Sequence, residues 1–99
     1  MVSTLVSAEA LTNKEFMSYP QEARKWWYSG VYTMLGHVAA IDYGSDQAQC
    51  VWNWFYDQPD ARTVQLEETF NQYPDQSPTT VVLYYLRKSC NVFYKPSQE

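Results

Sequence analysis

Three side chains of this sequence have the chemistry for a metal site or for nucleophilic catalysis, namely Cys50, Cys90 and His37. A zinc site takes about four ligands, which two cysteines and a single histidine do not supply. A cysteine nucleophile would use His37 as its base. Cys50 cannot act as a nucleophile if it is bonded to Cys90. Two interpretations of the cysteines then remain: two free buried thiols in a cytosolic protein, or one disulfide bond in an oxidising compartment.

The number and positions of the cysteines favour a disulfide bond over two free thiols. The number of cysteines is even, a single pairing exists, and both residues fall where helices are expected to pack. In the chain-entropy model, closing a loop of this length adds roughly 4 kcal/mol to the stability of a small domain. Such a bond persists in the periplasm, at the cell exterior or in the secretory lumen. We therefore expect an exported protein that holds no metal and no cofactor.

Other catalytic signatures are missing from the sequence. It contains no glycine-rich phosphate loop, no HExxH and no GxSxG. Glu67 and Glu68 are neighbours on an expected helix, where they diverge by about 100° and cannot flank one substrate bond. We expect both carboxylates to be solvated and His37 to be a packing or surface residue. The protein is therefore not expected to be an enzyme.

Composition indicates one folded domain. Of the 99 residues, 45% are hydrophobic and 17% aromatic, which is enough for one core. The formal net charge is −4 and the seven Lys and Arg residues are scattered, so no basic surface for nucleic acid is expected. No apolar run reaches the roughly 18 residues of a membrane span, so membrane insertion is not expected either.

The first residues have features of an export signal without being an intact one. The start MVSTLVSAEA has no basic region, and it ends in Ala8-Glu9-Ala10, which resembles a cleavage site. We expect residues 1–11 to be an N-terminal arm or the remnant of a signal peptide, residues 12–94 the helical domain, and residues 95–99 a flexible tail.

Residues that typically start or end helices occur along the whole chain. Thr12 to Glu15 fits a capping box, and Pro20 opens the longest expected helix, which Gly44 ends. The inner face of that helix is predicted from residues at three-four spacing: Ala23, Trp26, Trp27, Gly30, Val31, Met34, Leu35, Val38 and Ile41. Ser45 and Thr63 are expected to cap the third and fourth helices, and Ser77 followed by Pro78 the fifth. The predicted fold is all-α, a small bundle of four to five helices stapled by one disulfide.

The aromatic content exceeds what one face per helix can bury. Tyr28 and Tyr32 lie off the predicted inner face of the long helix, and Trp52 leaves the third helix on a different side from Val51 and Phe55. We predict Tyr28, Tyr32 and Trp52 to form a dimer or partner surface. Partial exposure without a partner is the alternative.

The segment 57–62 is the predicted binding loop. It carries Asp57, Gln58, Asp60 and Arg62 around a rigid proline, and Tyr56 stands at its root. A short projecting loop of this kind enters a partner's groove at a low ordering cost. An ordinary polar connection between two helices is the alternative.

The order of these features resembles the Rap/Tai family of type VI secretion immunity proteins. The resemblance covers about residues 25–93: the long helix WWYSGVYTMLGHVAA, Cys50, TVQL at 63–66, Tyr73-Pro74, the apolar helix VVLYYL and Cys90. Ser89 stands where family members often carry a proline, and the family's glycines in the long helix are matched by Gly30 and Gly36.

The resemblance implies a periplasmic protein with a Cys50–Cys90 disulfide, often a homodimer. It implies binding to a cognate secreted peptidoglycan amidase, whose catalytic groove the segment 57–62 would plug. Inhibition would be steric and would give self-resistance to the toxin. A periplasmic acid-stress chaperone of similar small helical architecture, triggered by carboxylate protonation, is the alternative. A small hydrolase dependent on His37 is a third hypothesis.

Overall fold

The computed structural model describes residues 11–93, and the predictions for residues 1–10 and 94–99 lie outside this range. Five helices make up the described chain, and no strand occurs in it: α1 Asn13–Met17, α2 Gln21–Tyr43, α3 Ser45–Tyr56, α4 Pro59–Gln72 and α5 Pro78–Cys90. The all-α prediction is confirmed, as is the covalent staple described below.

Three of the predicted helix boundaries are confirmed by their hydrogen bonds. Thr12 and Glu15 form a reciprocal capping box, in which each side chain accepts from the other's backbone N–H. The Ser77 hydroxyl accepts from the Thr80 N–H, and Pro78 occupies the first turn of α5. Gly44 alone separates α2 from α3 and has a φ of 107°, a left-handed value that favours glycine.

Two predicted caps are wrong. Ser45 is the first residue of α3 and makes no capping hydrogen bond, because Gly44 takes the N-cap position. Thr63 lies inside α4, which begins four residues earlier at Pro59. Proline fits the first helical position because its fixed φ is helical and its missing N–H would have no partner there. The proline that was expected to separate two helices therefore starts the second one.

The predicted inner face of α2 is wrong in part, since its Trp27, Val31 and Leu35 are half-buried against the core while other members are exposed. Trp26, Met34 and Ile41 are 72%, 58% and 83% exposed, whereas Tyr28 and Tyr32 are buried. The ring of Tyr32 stacks on Phe55 of α3 at a centroid distance of 4.6 Å. Tyr28 and Tyr32 both pack on Phe55, and aromatic rings bury a large apolar area, which favours this face of α2 on the inside. Buried residues cannot form a dimer or partner surface, so that prediction is corrected for Tyr28 and Tyr32.

The other long helices bury residues at three-four spacing. Ala48, Val51, Trp54 and Phe55 of α3 are buried, as are Leu66 and Phe70 of α4, whereas Tyr73 is exposed just beyond the end of that helix. The buried side chains of the core are Phe16, Tyr28, Tyr32, Ala39, Ala48, Val51, Trp54, Phe55, Leu66, Phe70, Val81, Val82, Leu86, Cys90 and Val92.

The short helix α1 closes one end of the bundle. Phe16 is fully buried and meets Phe70 edge-on at 5.4 Å. Asn13 fixes this position, since its backbone N–H donates to the Gln76 carbonyl at 2.7 Å and its side chain donates to the Tyr73 carbonyl at 2.8 Å. A helix of five residues is too short to be stable alone, so these tertiary contacts hold it.

The disulfide joins α3 to the end of α5. Cys50 and Cys90 are bonded across a Cα–Cα distance of 5.8 Å, which confirms the predicted pairing. Beside it, the Gln47 side-chain amide donates to the Cys90 carbonyl at 2.6 Å. Asn91 then ends α5 in the left-handed conformation with a φ of 58°. The two helices are thus joined by a covalent bond and by the Gln47 hydrogen bond beside it.

Gly36 permits the closest approach between α2 and α3. The indole ring of Trp52 occupies the space that a Cβ at residue 36 would need, and its Nε1–H donates to the Thr33 carbonyl at 3.3 Å. The edge of the same ring meets His37 at 5.2 Å, so the ring is held from two sides. By contrast, a Cβ at Gly30 would meet nothing within 4 Å.

We expect Gly36→Ala to lower the free energy of unfolding by about 1–3 kcal/mol, because the added methyl forces the Trp52 ring out of its place. Gly30→Ala is the matched control, and it should raise stability by about 0.5–1 kcal/mol since alanine is the better helix former in open space. Urea unfolding of the two variants measures both effects. Equal stability of the two variants would contradict the close packing described here.

Candidate functional site: the corner between α3 and α4

The predicted binding segment 57–62 is a tight helix–helix corner rather than a loop. Only Asp57 and Gln58 lie between α3 and α4. The Asp57 N–H donates to the Asn53 carbonyl at 3.1 Å, and the Gln58 N–H donates to the Phe55 carbonyl at 3.2 Å. The backbone of the corner is therefore fixed before any partner binds. The loop prediction is corrected, because Pro59 starts α4 at once.

Four of the five predicted site residues are exposed at this corner, namely Tyr56, Asp57, Gln58 and Asp60. Tyr56 is anchored, since its hydroxyl donates to the Ser29 carbonyl at 3.0 Å and lies 3.1 Å from the Thr33 hydroxyl. The corner thus presents two carboxylates and an amide on a rigid base. We call Tyr56, Asp57, Gln58 and Asp60 the acidic corner.

Arg62, the fifth predicted residue, has a structural role instead. Its Nε–H donates to the Trp54 carbonyl at 2.7 Å, and its guanidinium carbon lies 4.3 Å from the centre of the Trp54 ring. A second nitrogen donates to the Gln65 side chain at 3.0 Å. Trp54 lies in the last turn of α3, where carbonyls lack helical partners, so Arg62 satisfies one of them and complements the helix dipole. This cation is not free to contact a partner.

A partly buried group of Arg24, Tyr28 and Glu67 was missed by sequence reasoning. Glu67 accepts from the Tyr28 hydroxyl at 2.7 Å and from the Arg24 Nε–H at 3.1 Å. The side chains of Arg24 and Glu67 are only 15% and 18% exposed. Arg24 also donates to the Tyr19 carbonyl at 2.6 Å, which ties the segment before α2 to the bundle. The prediction that Glu67 is a solvated residue is wrong, whereas Glu68 is exposed.

Two core tyrosines differ in how their hydroxyls are satisfied. Burial raises the pKa of Tyr28, and its hydrogen bond to Glu67 raises it further. Burial also raises the pKa of Tyr32, against a smaller opposing effect of the Arg62 charge. Tyr32 is fully buried, and its hydroxyl has no hydrogen-bond partner among the described residues. One phenol is thus paired with a carboxylate, and the other is not paired.

Removing the hydroxyl of Tyr28 or of Tyr32 tests whether each one contributes a hydrogen bond to stability. We expect Tyr28→Phe to cost about 2 kcal/mol of stability, because it breaks a hydrogen bond to a charged group and leaves Glu67 with one partner fewer. The free energy of unfolding of Tyr32→Phe should be equal to that of the parent protein within about 1 kcal/mol, or higher, because an unpaired buried hydroxyl is removed. Urea unfolding at neutral pH measures both. A larger loss for Tyr32→Phe than for Tyr28→Phe would show that its hydroxyl has a partner after all.

A surface groove of about 390 Å³ borders the acidic corner. Its lining includes the charged residues Lys25, Asp60 and Glu67 and the aromatic residues Tyr28 and Phe55. The groove therefore carries charges of both signs. Within residues 11–93, no three His, Cys, Asp or Glu side chains come together as a metal site. None of the helices in this range is long and apolar enough to cross a bilayer.

The remaining residues singled out from the sequence lie away from the corner. His37 is exposed on α2 and its ring contacts Trp52. Trp52 was predicted to belong to a dimer or partner surface, but it is half-buried between α2 and α3. Cys50 and Cys90 are joined to each other, so neither is a thiol nucleophile. The structure therefore does not bring His37 and a free cysteine together.

Comparison with known proteins adds no assignment. No protein-family model matches the chain, and neither a curated protein nor a solved structure matches it.

Proposed function

We propose that this chain is a periplasmic immunity protein of the Rap/Tai type, which blocks a type VI-secreted peptidoglycan amidase and so gives self-resistance. The observation that carries the proposal is the Cys50–Cys90 disulfide between α3 and the end of α5. The resemblance places a bond between these two helices, and such bonds persist in the periplasm.

The proposed mechanism is steric occlusion by the acidic corner. Because its backbone is already hydrogen-bonded and Tyr56 is anchored to α2, binding orders little that was free. Asp57 and Asp60 would face basic groups at the rim of the amidase groove, which favours fast and specific association. Arg62 supports the corner from behind through Trp54. The inhibitor performs no chemistry, since filling the groove is enough to exclude the peptide substrate.

The double variant Asp57→Lys/Asp60→Lys tests the acidic corner. The probe is a purified type VI-secreted peptidoglycan amidase of the proposed target class, assayed on muropeptides with and without this chain. We expect the parent protein to abolish cleavage and the double variant to bind at least tenfold more weakly, a loss of about 1.4 kcal/mol. Asp42→Lys/Asp46→Lys is the control, because it makes the same change in net charge on exposed residues elsewhere.

Three outcomes are distinguishable. Failure of the parent protein to inhibit would overturn the immunity function. Full inhibition by the corner variant would retain the function and place the interface elsewhere. Protection of an aggregating client protein in strong acid, without amidase inhibition, would instead identify the chaperone alternative.

A further inference from the structure

A second surface groove lies between the end of α4 and the first half of α5. Its volume is about 490 Å³, which is within the size range of small-molecule sites. The described residues that line it are three tyrosines, two glutamines, two threonines and one valine. The acidic corner lies at the opposite end of α4 and shares no residue with this groove, so the two sites are separate.

The backbone that carries Tyr73 in this groove is fixed before any ligand binds. Tyr73 directly follows α4, and its carbonyl accepts from the Asn13 side chain at 2.8 Å and from the Gln76 N–H at 3.1 Å. The Gln76 carbonyl in turn accepts from the Asn13 N–H at 2.7 Å. Helix α1 therefore holds in place a segment that presents an exposed phenol and an exposed amide, since Tyr73 is 56% exposed and Gln76 is exposed as well.

Helix α5 contributes two further tyrosines to the lining. The ring of Tyr85 stacks on Trp54 at a centroid distance of 5.6 Å and meets Tyr84 edge-on at 5.4 Å. Tyr84 is 49% exposed, and the Lys88 ammonium donates to its hydroxyl at 3.4 Å. The groove thus has aromatic rings from two separate segments of the chain, and their neighbours already restrain them.

The polar groups of the groove are hydroxyls and amides. The Thr69 hydroxyl donates its one hydrogen to the Gln65 carbonyl at 3.1 Å, so it accepts from the Tyr85 hydroxyl 2.8 Å away. Because Tyr85 is the donor of that bond, its oxygen keeps a lone pair that can accept from a ligand. Gln72 and Gln76 are exposed, and each side-chain amide can both donate and accept. None of the described lining residues is charged.

We propose that this groove binds a neutral oligosaccharide. A pyranose ring has a face of C–H bonds, whose hydrogens are attracted by the negatively charged face of an aromatic ring. Its hydroxyl groups both donate and accept, as the amides and hydroxyls of the groove do. A charged ligand would find no opposite charge among the described lining residues, and burying an unpaired charge is unfavourable. This site does not depend on the proposed immunity function.

A proline-rich peptide is the competing occupant, because grooves lined by aromatic rings also bind such segments. Proline has no backbone N–H, so a peptide of this kind presents mainly carbonyl acceptors. The free lone pair of the Tyr85 oxygen would then lack a donor. The mixture of donors and acceptors in the groove therefore favours a sugar over this peptide.

Isothermal titration calorimetry of the full chain tests the site with two tetrasaccharides, one of the chitin type and one of the cellulose type. We expect the parent protein to bind at least one of them, and Tyr84→Ala to bind it about tenfold more weakly because a ring is lost. Tyr84→Phe keeps the ring and should retain the affinity within about threefold. Trp26→Ala is the control, since it removes a 72% exposed ring outside the groove and should leave the affinity unchanged.

Amide NMR spectra of the full chain locate the bound sugar. The side-chain amide signals of Gln72 and Gln76 should shift on addition of the tetrasaccharide, while that of Gln58 in the acidic corner should not. Circular dichroism verifies that Tyr84→Ala is folded, which its exposed position favours.

Three results would overturn the proposal. They are no binding of either tetrasaccharide by the parent protein, an equal loss of affinity in Trp26→Ala and Tyr84→Ala, and binding of a proline-rich peptide in place of both sugars. Amidase inhibition is measured separately, so the failure of one proposal is distinguishable from the failure of the other.

Discussion

Replacing both Cys50 and Cys90 by alanine is expected to lower the free energy of unfolding by roughly 4 kcal/mol. The two cysteines are 40 residues apart in the sequence, and the loop that their bond closes contains α4 and most of α5. Without the bond, the unfolded chain regains the freedom that this loop restricts, while the folded state loses its covalent link between α3 and the end of α5. For a domain of this size, that is a large part of the total stability.

Thermal melting measures the loss, which should be on the order of 20 °C in Tm for a domain of this length. Reductant provides the control: it should lower the Tm of the parent protein toward that of the double variant and leave the variant unchanged. Both positions accept alanine, since α3 and α5 are already helical there. Equal melting temperatures for the parent protein and the variant would show that the bond contributes nothing to folding.

Stability is also expected to fall steeply in alkaline solution. The pKa values of Tyr28 and Tyr32 are raised above the ordinary value of 10.0, mainly because burial disfavours a phenolate. Below pH 10 both phenols keep their protons whether the chain is folded or unfolded, so their contribution is constant. Above pH 10 the unfolded chain releases the two protons and the folded chain retains them. The free energy of unfolding should therefore decrease by about 1.36 kcal/mol per pH unit for each tyrosine, or about 2.7 kcal/mol per pH unit for both.

Urea unfolding at a series of alkaline pH values gives this slope, and tyrosinate absorbance reports when the phenols ionise. The variant Tyr28→Phe/Tyr32→Phe is the control and should show a slope smaller by the contribution of two protons. Arg24 and Glu67 face Tyr28 with opposite charges, and Arg62 acts on Tyr32, so burial remains the main cause. The prediction fails if the double variant keeps the full slope.

The helices were predictable wherever a local signal sets their ends. The Thr12 capping box, the left-handed Gly44 and the Ser77-Pro78 start each act within a few residues, and each is found as predicted. Pro59 was misinterpreted because the same residue type ends one helix and begins the next, and only the hydrogen bonds around it distinguish the two roles.

The exposure of the segment 57–62 was largely predictable, but its conformation was not. Tyr56, Asp57, Gln58 and Asp60 are exposed as expected, while Arg62 turns back onto Trp54. Arg24 and Glu67 are 43 residues apart in the sequence, so no local pattern reveals their hydrogen bond. Tyr28 completes the group only because α2 turns that tyrosine toward α4.

The sequence by itself determined the helical class of this protein and most of its helix boundaries, because capping, proline and glycine effects act over single turns. The cysteine count also allowed only one disulfide. The tertiary structure decided which face of α2 is buried. That helix carries two apolar faces, and only the packing of Phe55 against Tyr32, with Trp52 over Gly36, selects between them.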